Sequence, residues 1–209
     1  MEDLGSMLRL KKLSVISLSA LLVLSACSNS ESEDMEPTKA LPDTPVAMES
    51  LSELDDTEEY EVHGVSLQVP RQLEVMQETI GGKDVGDVTQ VSFALPDAER
   101  ASIILTVENI PEADIKNAEF SALALENALV TNGIGSEIEK SVLNWPELGQ
   151  GAAVSAMLNV PVDGADVERE SLTSIIAHED LLVSISIETD PGELEDSQEL
   201  RAMRTLRIE

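Results

Sequence analysis

The residue with the clearest chemistry in this sequence is Cys27, the only cysteine among 209 residues. A single thiol cannot close an intrachain disulfide, so the fold must do without a disulfide framework. Cys27 follows closely on an apolar run, Leu13 to Leu24, that is interrupted only by serines and an alanine. A lone cysteine at the end of such a run indicates covalent modification of its thiol.

The residues before Cys27 have the composition of an export signal. Met7 to Lys12 is basic, and the apolar run follows it. About 12 residues of helix rise about 18 Å, which is shorter than the ~30 Å hydrocarbon core of a bilayer. The pattern therefore predicts that residues 1–26 are a signal peptide and not a spanning helix. Because Glu2 and Asp3 are acidic, we interpret residues 1–6 as a mis-called start or a remnant, with Met7 as the better start.

The four residues Leu24, Ser25, Ala26 and Cys27 resemble the lipobox of bacterial lipoproteins. The resemblance implies cleavage between Ala26 and Cys27 and attachment of a diacylglyceryl group to the Cys27 thiol. Two acyl chains hold a protein on a bilayer far more firmly than one. We therefore expect the chain to lie at the extracytoplasmic face of the cell membrane. The alternative is an ordinary cleaved signal followed by a free, buried cysteine.

Charge narrows the class of partner. The chain carries 41 acidic and 13 basic side chains, a net charge of −28. Such a field repels phosphate backbones and anionic headgroups, so we expect no nucleic-acid partner. The acidity is explained either by solubility or a saline habitat, or by recognition of a cationic partner or of cations.

Ser28 to Glu59 has the composition of a spacer, because it combines many acids with one lysine and three prolines and shows no helical or strand period. It cannot bury enough apolar surface to offset the entropy of ordering. We predict a lipidated Cys27 and a disordered acidic tether over residues 27–59, followed by a single globular domain over residues 60–209.

Within that domain we find no catalytic constellation, no metal site and no cofactor motif. His63 at a glycine turn and His178 at a hairpin tip are interpreted as solvated turn residues rather than as bases or ligands. No Gly-x-Ser-x-Gly motif is present. The acid pairs Asp163/Asp166, Glu188/Asp190 and Asp84/Asp87 are interpreted as surface charge. The arginines Arg201, Arg204 and Arg207 are interpreted as solvated partners of the helix dipole, and the alternative is a basic stripe for an anionic partner.

Trp145, beside Pro146, is the one large aromatic residue in a turn-rich stretch. It is either an anchor for a ligand or partner or a cover over the sheet.

The strands that position these residues are predicted from alternating apolar residues, in segments bounded by Gly and Pro. Strands are predicted over residues 60–63, 65–69, 87–95, 102–110, 136–143, 152–160, 167–177 and 181–188. One helix runs from a cap at Asp114 or Asn117 to the stop at Asn132-Gly133. A closing helix is predicted to begin at Asp190-Pro191 and to reach Arg207. Hairpins without intervening helices require antiparallel pairing. We therefore predict an α+β fold, with an antiparallel sheet of about 6–8 strands and two main helices packed on it.

This order of elements resembles the PsbP-like fold, which is shared by the photosystem II PsbP protein, the Ran-binding Mog family and LpqN-type lipoproteins. The residues that carry the resemblance are Gly64-Val-Ser-Leu-Gln-Val-Pro70, the helix ending at Gly133, the entry Gly149-Gln-Gly151 and the closing helix. It implies an α/β/α sandwich that binds partners or ligands and has no shared catalytic residues.

The function expected from the sequence is therefore a membrane-anchored envelope lipoprotein, a non-catalytic binding or accessory module for a protein or small-molecule partner in the envelope. Two alternatives remain open. One is an envelope hydrolase with an unrecognised acid-based site, and the other is a structural, acidic surface protein.

Overall fold

A computed structural model describes residues 45–81, 88–162 and 164–209. The predicted signal peptide, the cleavage position at Ala26, the lipid attachment at Cys27 and the first part of the predicted tether lie outside these residues. So do residues 82–87, which contain the acid pair Asp84/Asp87, and Asp163.

The described residues form strands grouped around one long and one short α-helix. In chain order the strands are β1 Val46–Ala47, β2 Thr57–Val62, β3 Val65–Pro70, β4 Glu74–Ile80, β5 Val88–Ala94, β6 Ile103–Asn109, β7 Gly135–Trp145, β8 Gly149–Val162, β9 Ala165–His178, β10 Leu181–Thr189 and β11 Arg207–Ile208. The helices are α1 Ile115–Thr131, a 3-10 turn at Leu194–Asp196, and α2 Gln198–Met203.

Two sheets organise these strands. The larger has eight strands in the order β1-β7-β8-β9-β10-β6-β5-β4, and the smaller has three in the order β11-β3-β2. Every pair is antiparallel except β1 with β7, which is parallel. The predicted α+β class, with its antiparallel sheet and two helices, is confirmed. The hairpin predicted at Gly64 is also confirmed, with φ +50° at the exposed turn residue His63 and φ +76° at Gly64.

One face of the large sheet, which we call the apolar face, packs against the small sheet and α2. Tyr60 of β2 meets Phe93 of β5 edge to face, with ring centroids 5.1 Å apart. The core between the sheets is otherwise mainly aliphatic; its members include Val65, Leu67, Val69, Val91, Ile103, Leu105, Val107, Ile176, Val183, Ile185, Ile187, Met203 and Leu206. Burial of these side chains supplies the main driving force for folding.

The opposite face is covered by α1 over β7, β8 and β9. The helix buries Ala118, Ala122, Leu125 and Leu129, which recur at helical spacing. Of the two predicted caps, Asp114 is the N-cap, and Asn117 completes a capping box with it. At the other end Asn132 is the C-cap and Gly133 adopts φ +65°.

The closing helix predicted from Asp190 to Arg207 is wrong in its extent. Asp190-Pro191-Gly192-Glu193 forms a turn, with Gly192 at φ +81°, and the Asp190 carboxylate pairs with Arg169 instead of capping a helix. The helix begins only after Ser197, whose Oγ accepts from the backbone N–H of Leu200. Arg207 belongs to β11, because the last residues pair with β3.

Strand β4 was not predicted. All seven of its residues are exposed. A strand without a buried face does not need apolar residues at every second position, so its sequence gives no strand signal. It forms one edge of the large sheet, and its register with β5 shifts between Val75 and Gln77. At the other edge β1 pairs with only two residues of β7, and β7 has a similar shift between Ser136 and Glu139.

The tether predicted over residues 27–59 is wrong for its last part. Residues 46–54, which we call the strap, are docked on the domain. Val46 and Ala47 pair with β7, and Met48 is only 7% exposed. Their partners are far away in sequence, so local composition did not indicate order. The folded part therefore includes Val46 and does not begin at Tyr60.

Candidate binding face

Helix α1 leaves half of its face of the large sheet uncovered. On this side Leu182 of β10 belongs to the core under α1. Among the described residues, no helix or second sheet lies over β6, β5 and β4 here, because α2 and the small sheet pack on the apolar face. Alternation along the strands places eight uncharged polar side chains here. We call this surface the polar half-face; it comprises Gln77, Thr79, Gln90, Ser92, Thr106, Thr173, Ser184 and Ser186.

The register of the strands arranges these side chains in rows. Ser184 lies opposite Thr106, Thr106 opposite Gln90, and Gln90 opposite Thr79. Neighbouring strands are about 4.8 Å apart, so a continuous row of hydroxyl and amide groups crosses four strands. In the adjoining row Ser186 lies opposite Thr173 on one side and Ile104 on the other.

Some of these groups bond to one another. Gln90 Nε2 donates to Thr106 Oγ1 at 3.1 Å, and the Thr173 and Ser186 hydroxyls are 2.8 Å apart. Ser184 has no side-chain hydrogen bond to another described residue, although it is only 8% exposed. A recessed hydroxyl without a partner is available to a ligand or to water.

Charged groups border the polar half-face at two ends. Arg100, from the loop before β6, forms a bidentate ion pair with Glu188 of β10, with N···O distances of 2.8 to 3.2 Å. At the other end Glu108 lies opposite Leu182 and Val88. Burial among these neighbours raises the pKa of the Glu108 carboxyl above its ordinary value.

The chemistry of this surface is hydrogen bonding. Hydroxyls donate and accept, and the amides of Gln77 and Gln90 do both. Neither histidine lies on this face: His63 is on the other side of the sheet, 2.8 Å from Thr89 Oγ1, and His178 is at the end of β9. In the part of the chain that the structure describes, no group of three His, Cys, Asp or Glu side chains could hold a metal ion.

Trp145, the candidate anchor for a ligand or partner, is fully buried in the core of the apolar face. Its Nε1 donates to Ser50 Oγ at 2.7 Å, and Ser50 Oγ donates to Glu147 at 2.8 Å. Of the two interpretations of Trp145, this placement favours a packing role. Trp145 and the polar half-face lie on opposite sides of the sheet and do not form one site.

Two of the three arginines considered as a basic stripe, Arg204 and Arg207, hold the strap. Arg204 Nε donates to the carbonyl of Glu49 at 2.7 Å, and Arg207 donates to the carbonyl of Ser52. They therefore act within the domain in this structure.

The polar half-face was missed from the sequence, although its signal is present. Val183-Ser-Ile-Ser-Ile187 and Leu105-Thr-Val107 alternate apolar with small polar residues. This pattern predicts a strand with one apolar and one polar side. Only the strand order shows that the polar sides of several strands adjoin where α1 does not reach.

None of the helices within the described residues combines the length and the hydrophobicity needed to cross a bilayer. This finding concerns residues 45–81, 88–162 and 164–209 alone.

No protein-family model matches the sequence, and no curated protein matches it. Solved structures with some similarity include a protein from Bacteroides thetaiotaomicron VPI-5482, with 14% identity and a TM-score of 0.41 over 74% of this chain and 49% of that one. This chain thus spans about half the length of the Bacteroides chain. Cyanobacterial PsbP (CyanoP) from Synechocystis sp. PCC 6803 has 15% identity and a TM-score of 0.47; the match covers 75% of this chain and 95% of the PsbP chain. PA94 from Pseudomonas aeruginosa, a protein of unknown function, has 16% identity and a TM-score of 0.33; the match covers 73% of this chain and 97% of the PA94 chain. A PsbP protein is among these neighbours, but similarity at this level assigns no function to the chain.

Proposed function

We propose that this chain is a lipid-anchored protein of the extracytoplasmic face of the cell membrane, and that its domain is a non-catalytic binding or accessory module. The anchor is supported by the sequence Leu24-Ser-Ala-Cys27 at the end of a short apolar run. The binding role is supported by the polar half-face.

The single observation that carries the binding role is the composition of that face. Charged residues make up 26% of the chain, and the net charge is −28. Solvated faces of antiparallel sheets in such a protein are expected to carry charged side chains. The eight side chains of the polar half-face are uncharged, whereas Glu108 and Glu188, on the same side of β6 and β10, lie at its two ends. Several of the eight are recessed, with Thr173 at 5% and Ser92 at 7% exposure. Recessed, uncharged hydrogen-bonding groups suit an uncharged polar ligand or the polar surface of a partner protein in the envelope.

Site-specific photo-crosslinking in cells tests the binding role. A photoreactive side chain at Thr79, which is exposed in the row, should capture a partner, whereas the same side chain at Ser136 on the opposite edge strand should not. Ser184→Gln, which fills the recess, should reduce capture from Thr79 by about tenfold, equivalent to 1.4 kcal/mol of binding free energy. Equal capture from both positions, or none from either, would argue against a binding role for this face.

The anchor is tested separately. Labelling with an alkyne fatty acid should mark the wild-type chain and leave Cys27→Ser unlabelled and released from the membrane fraction. Retention of label in Cys27→Ser would reject lipid attachment at this residue and leave the binding face untouched.

A hydrolase is kept as a second candidate because one observation favours it. A carboxyl whose pKa is raised by burial, as in Glu108, is what a general acid requires. Its neighbours include the hydroxyl of Thr106 on the same side of β6. If Glu108 is a catalytic acid, hydrolysis of an envelope substrate by the purified chain should fall by 10² or more in Glu108→Gln. Unchanged turnover in this variant would exclude that role.

A further inference from the structure

The strap crosses from the edge of the large sheet to the C-terminal elements. Val46 and Ala47 pair in parallel with Leu143 and Asn144, and the N–H of Met48 donates to the carbonyl of Asn144 at 3.0 Å. Farther along, the N–H of Leu51 donates to the carbonyl of Arg204 at 2.7 Å. The strap thus connects an edge strand with the end of α2.

Side chains of the domain clamp the strap from three directions. Trp145 binds Ser50 from the core, and Arg204 and Arg207 bind the carbonyls of Glu49 and Ser52. In the small sheet, Gln68 Oε1 accepts from the N–H of Leu54 at 2.7 Å, and Gln68 Nε2 donates to the Ser52 carbonyl at 3.2 Å. These contacts are hydrogen bonds and, apart from the buried Trp145, they join residues that are exposed or half-buried.

The strap buries less apolar side-chain surface than the strands that it contacts. Met48 is its one buried side chain, while Leu51 and Leu54 are half-buried and Val46 is 48% exposed. Its strand pairing covers two residues at a sheet edge. Segments with few buried apolar contacts and solvent-accessible hydrogen bonds open locally well before the whole domain unfolds.

We propose that the strap is a releasable latch, docked in this structure and able to detach as one unit while both sheets stay folded. Detachment breaks the hydrogen bond from Trp145 to Ser50 and uncovers the edge of the core where Met48 lies. If Cys27 is the attachment point, as proposed above, release also frees the nine residues of the strap and adds up to about 30 Å of reach. The latch itself does not depend on the lipid.

Hydrogen exchange of the purified full chain tests the latch directly. The amides of Met48, Leu51 and Leu54 should exchange together, at least about tenfold faster than the amides of Val183 and Ile185 in the sheet centre. If the strap amides exchange no faster than those of the sheet, the strap opens only with global unfolding and the proposal fails.

Trp145 provides a second readout, because it is the only tryptophan in the chain. Met48→Asp should detach the strap and increase quenching of Trp145 fluorescence by acrylamide, while cooperative melting of the domain persists. Val46→Asp adds the same charge at an exposed position of the strap and should leave quenching at the wild-type level. Equal quenching in the two variants would overturn the proposal.

An engineered disulfide tests the same proposal if the Met48→Asp variant does not fold. Ala47 and Asn144 are paired in register and exposed, so Ala47→Cys with Asn144→Cys in a Cys27→Ser background should hold the strap in place when oxidised. The oxidised lock should abolish the fast exchange of the strap amides, and reduction should restore it. Fast exchange that persists in the oxidised form would contradict detachment as a unit. Because Cys27 is absent, these results are independent of the lipid anchor.

Discussion

The two sides of the large sheet differ although the same strands build both. Leu105 and Thr106 are consecutive, and so are Ser184 and Ile185, yet one member of each pair lies in the sealed core and the other on the polar half-face. The apolar face is closed by the small sheet and α2. The opposite face is closed by α1 over β7, β8 and β9, and none of the other described elements covers it over β6, β5 and β4. The core and the surface proposed for binding are thus built from alternate residues of the same strands, so substitutions at neighbouring positions should have unrelated effects.

The largest expected effect is on the apolar side. Ile185→Ala removes a fully buried side chain and should lower the free energy of unfolding by about 2–5 kcal/mol. Ser184→Ala, one residue earlier, should change it by less than about 0.5 kcal/mol. Urea denaturation of both variants measures the difference. Comparable losses for the two would mean that the polar half-face is a structural core and that the contrast between the sides does not hold.

An intermediate effect is expected where the polar half-face meets a buried charge. Arg100→Met leaves the Glu188 carboxylate, whose side chain is 6% exposed, without its partner and should destabilise the fold by about 3 kcal/mol. Replacing both residues, Arg100→Met with Glu188→Leu, should recover most of the loss, because no unpaired charge remains. Thermal melting of the single and double variants provides the test. No recovery in the double variant would show that the pair also packs or positions the loop before β6.

The smallest expected effect depends on pH and concerns Glu108. Because the folded state raises the pKa of this carboxyl, the folded state holds its proton more tightly than the unfolded chain does. The contribution of Glu108 to stability therefore falls as pH rises from its ordinary value of 4.5 through the raised value. Glu108→Gln should be slightly more stable than the wild type at neutral pH.

That difference between Glu108→Gln and the wild type should vanish below pH 4.5, where both forms are neutral at this position. Melting temperatures measured from acid to neutral pH should show the two curves diverging. Parallel curves would indicate that Glu108 is as well solvated as a surface carboxylate.

Local patterns predicted much of this fold. The alternation in β5, β6, β9 and β10, the cap at Asp114 and the stop at Asn132-Gly133 all depend on neighbours in sequence, and the structure has them at or near the predicted positions. The prediction made the closing helix too long because the placement of charges favoured a helix from Asp190 to Arg207. In the structure Pro191-Gly192 belongs to a turn, and Arg207 pairs with β3.

The features that sequence could not locate depend on contacts between distant residues. The strap is ordered by Trp145, Arg204 and Gln68, each far from it along the chain. The polar half-face exists because β10, β6, β5 and β4 are neighbours in space and α1 packs on the other strands. Neither arrangement leaves a signal in a window of ten or fifteen residues.

The register shifts in β4 and β7 bear on how the domain behaves when many copies share a surface. An edge strand is a template for another strand, but a bulge twists its hydrogen-bonding groups out of line. Strand β4, and β7 outside its two-residue pairing with β1, have such a shift, and Glu78 and Glu139 place negative charges beside these shifts. Copies held side by side at high density should therefore remain separate particles, because neither rim of the sheet offers a regular ladder on which fibrous growth could start.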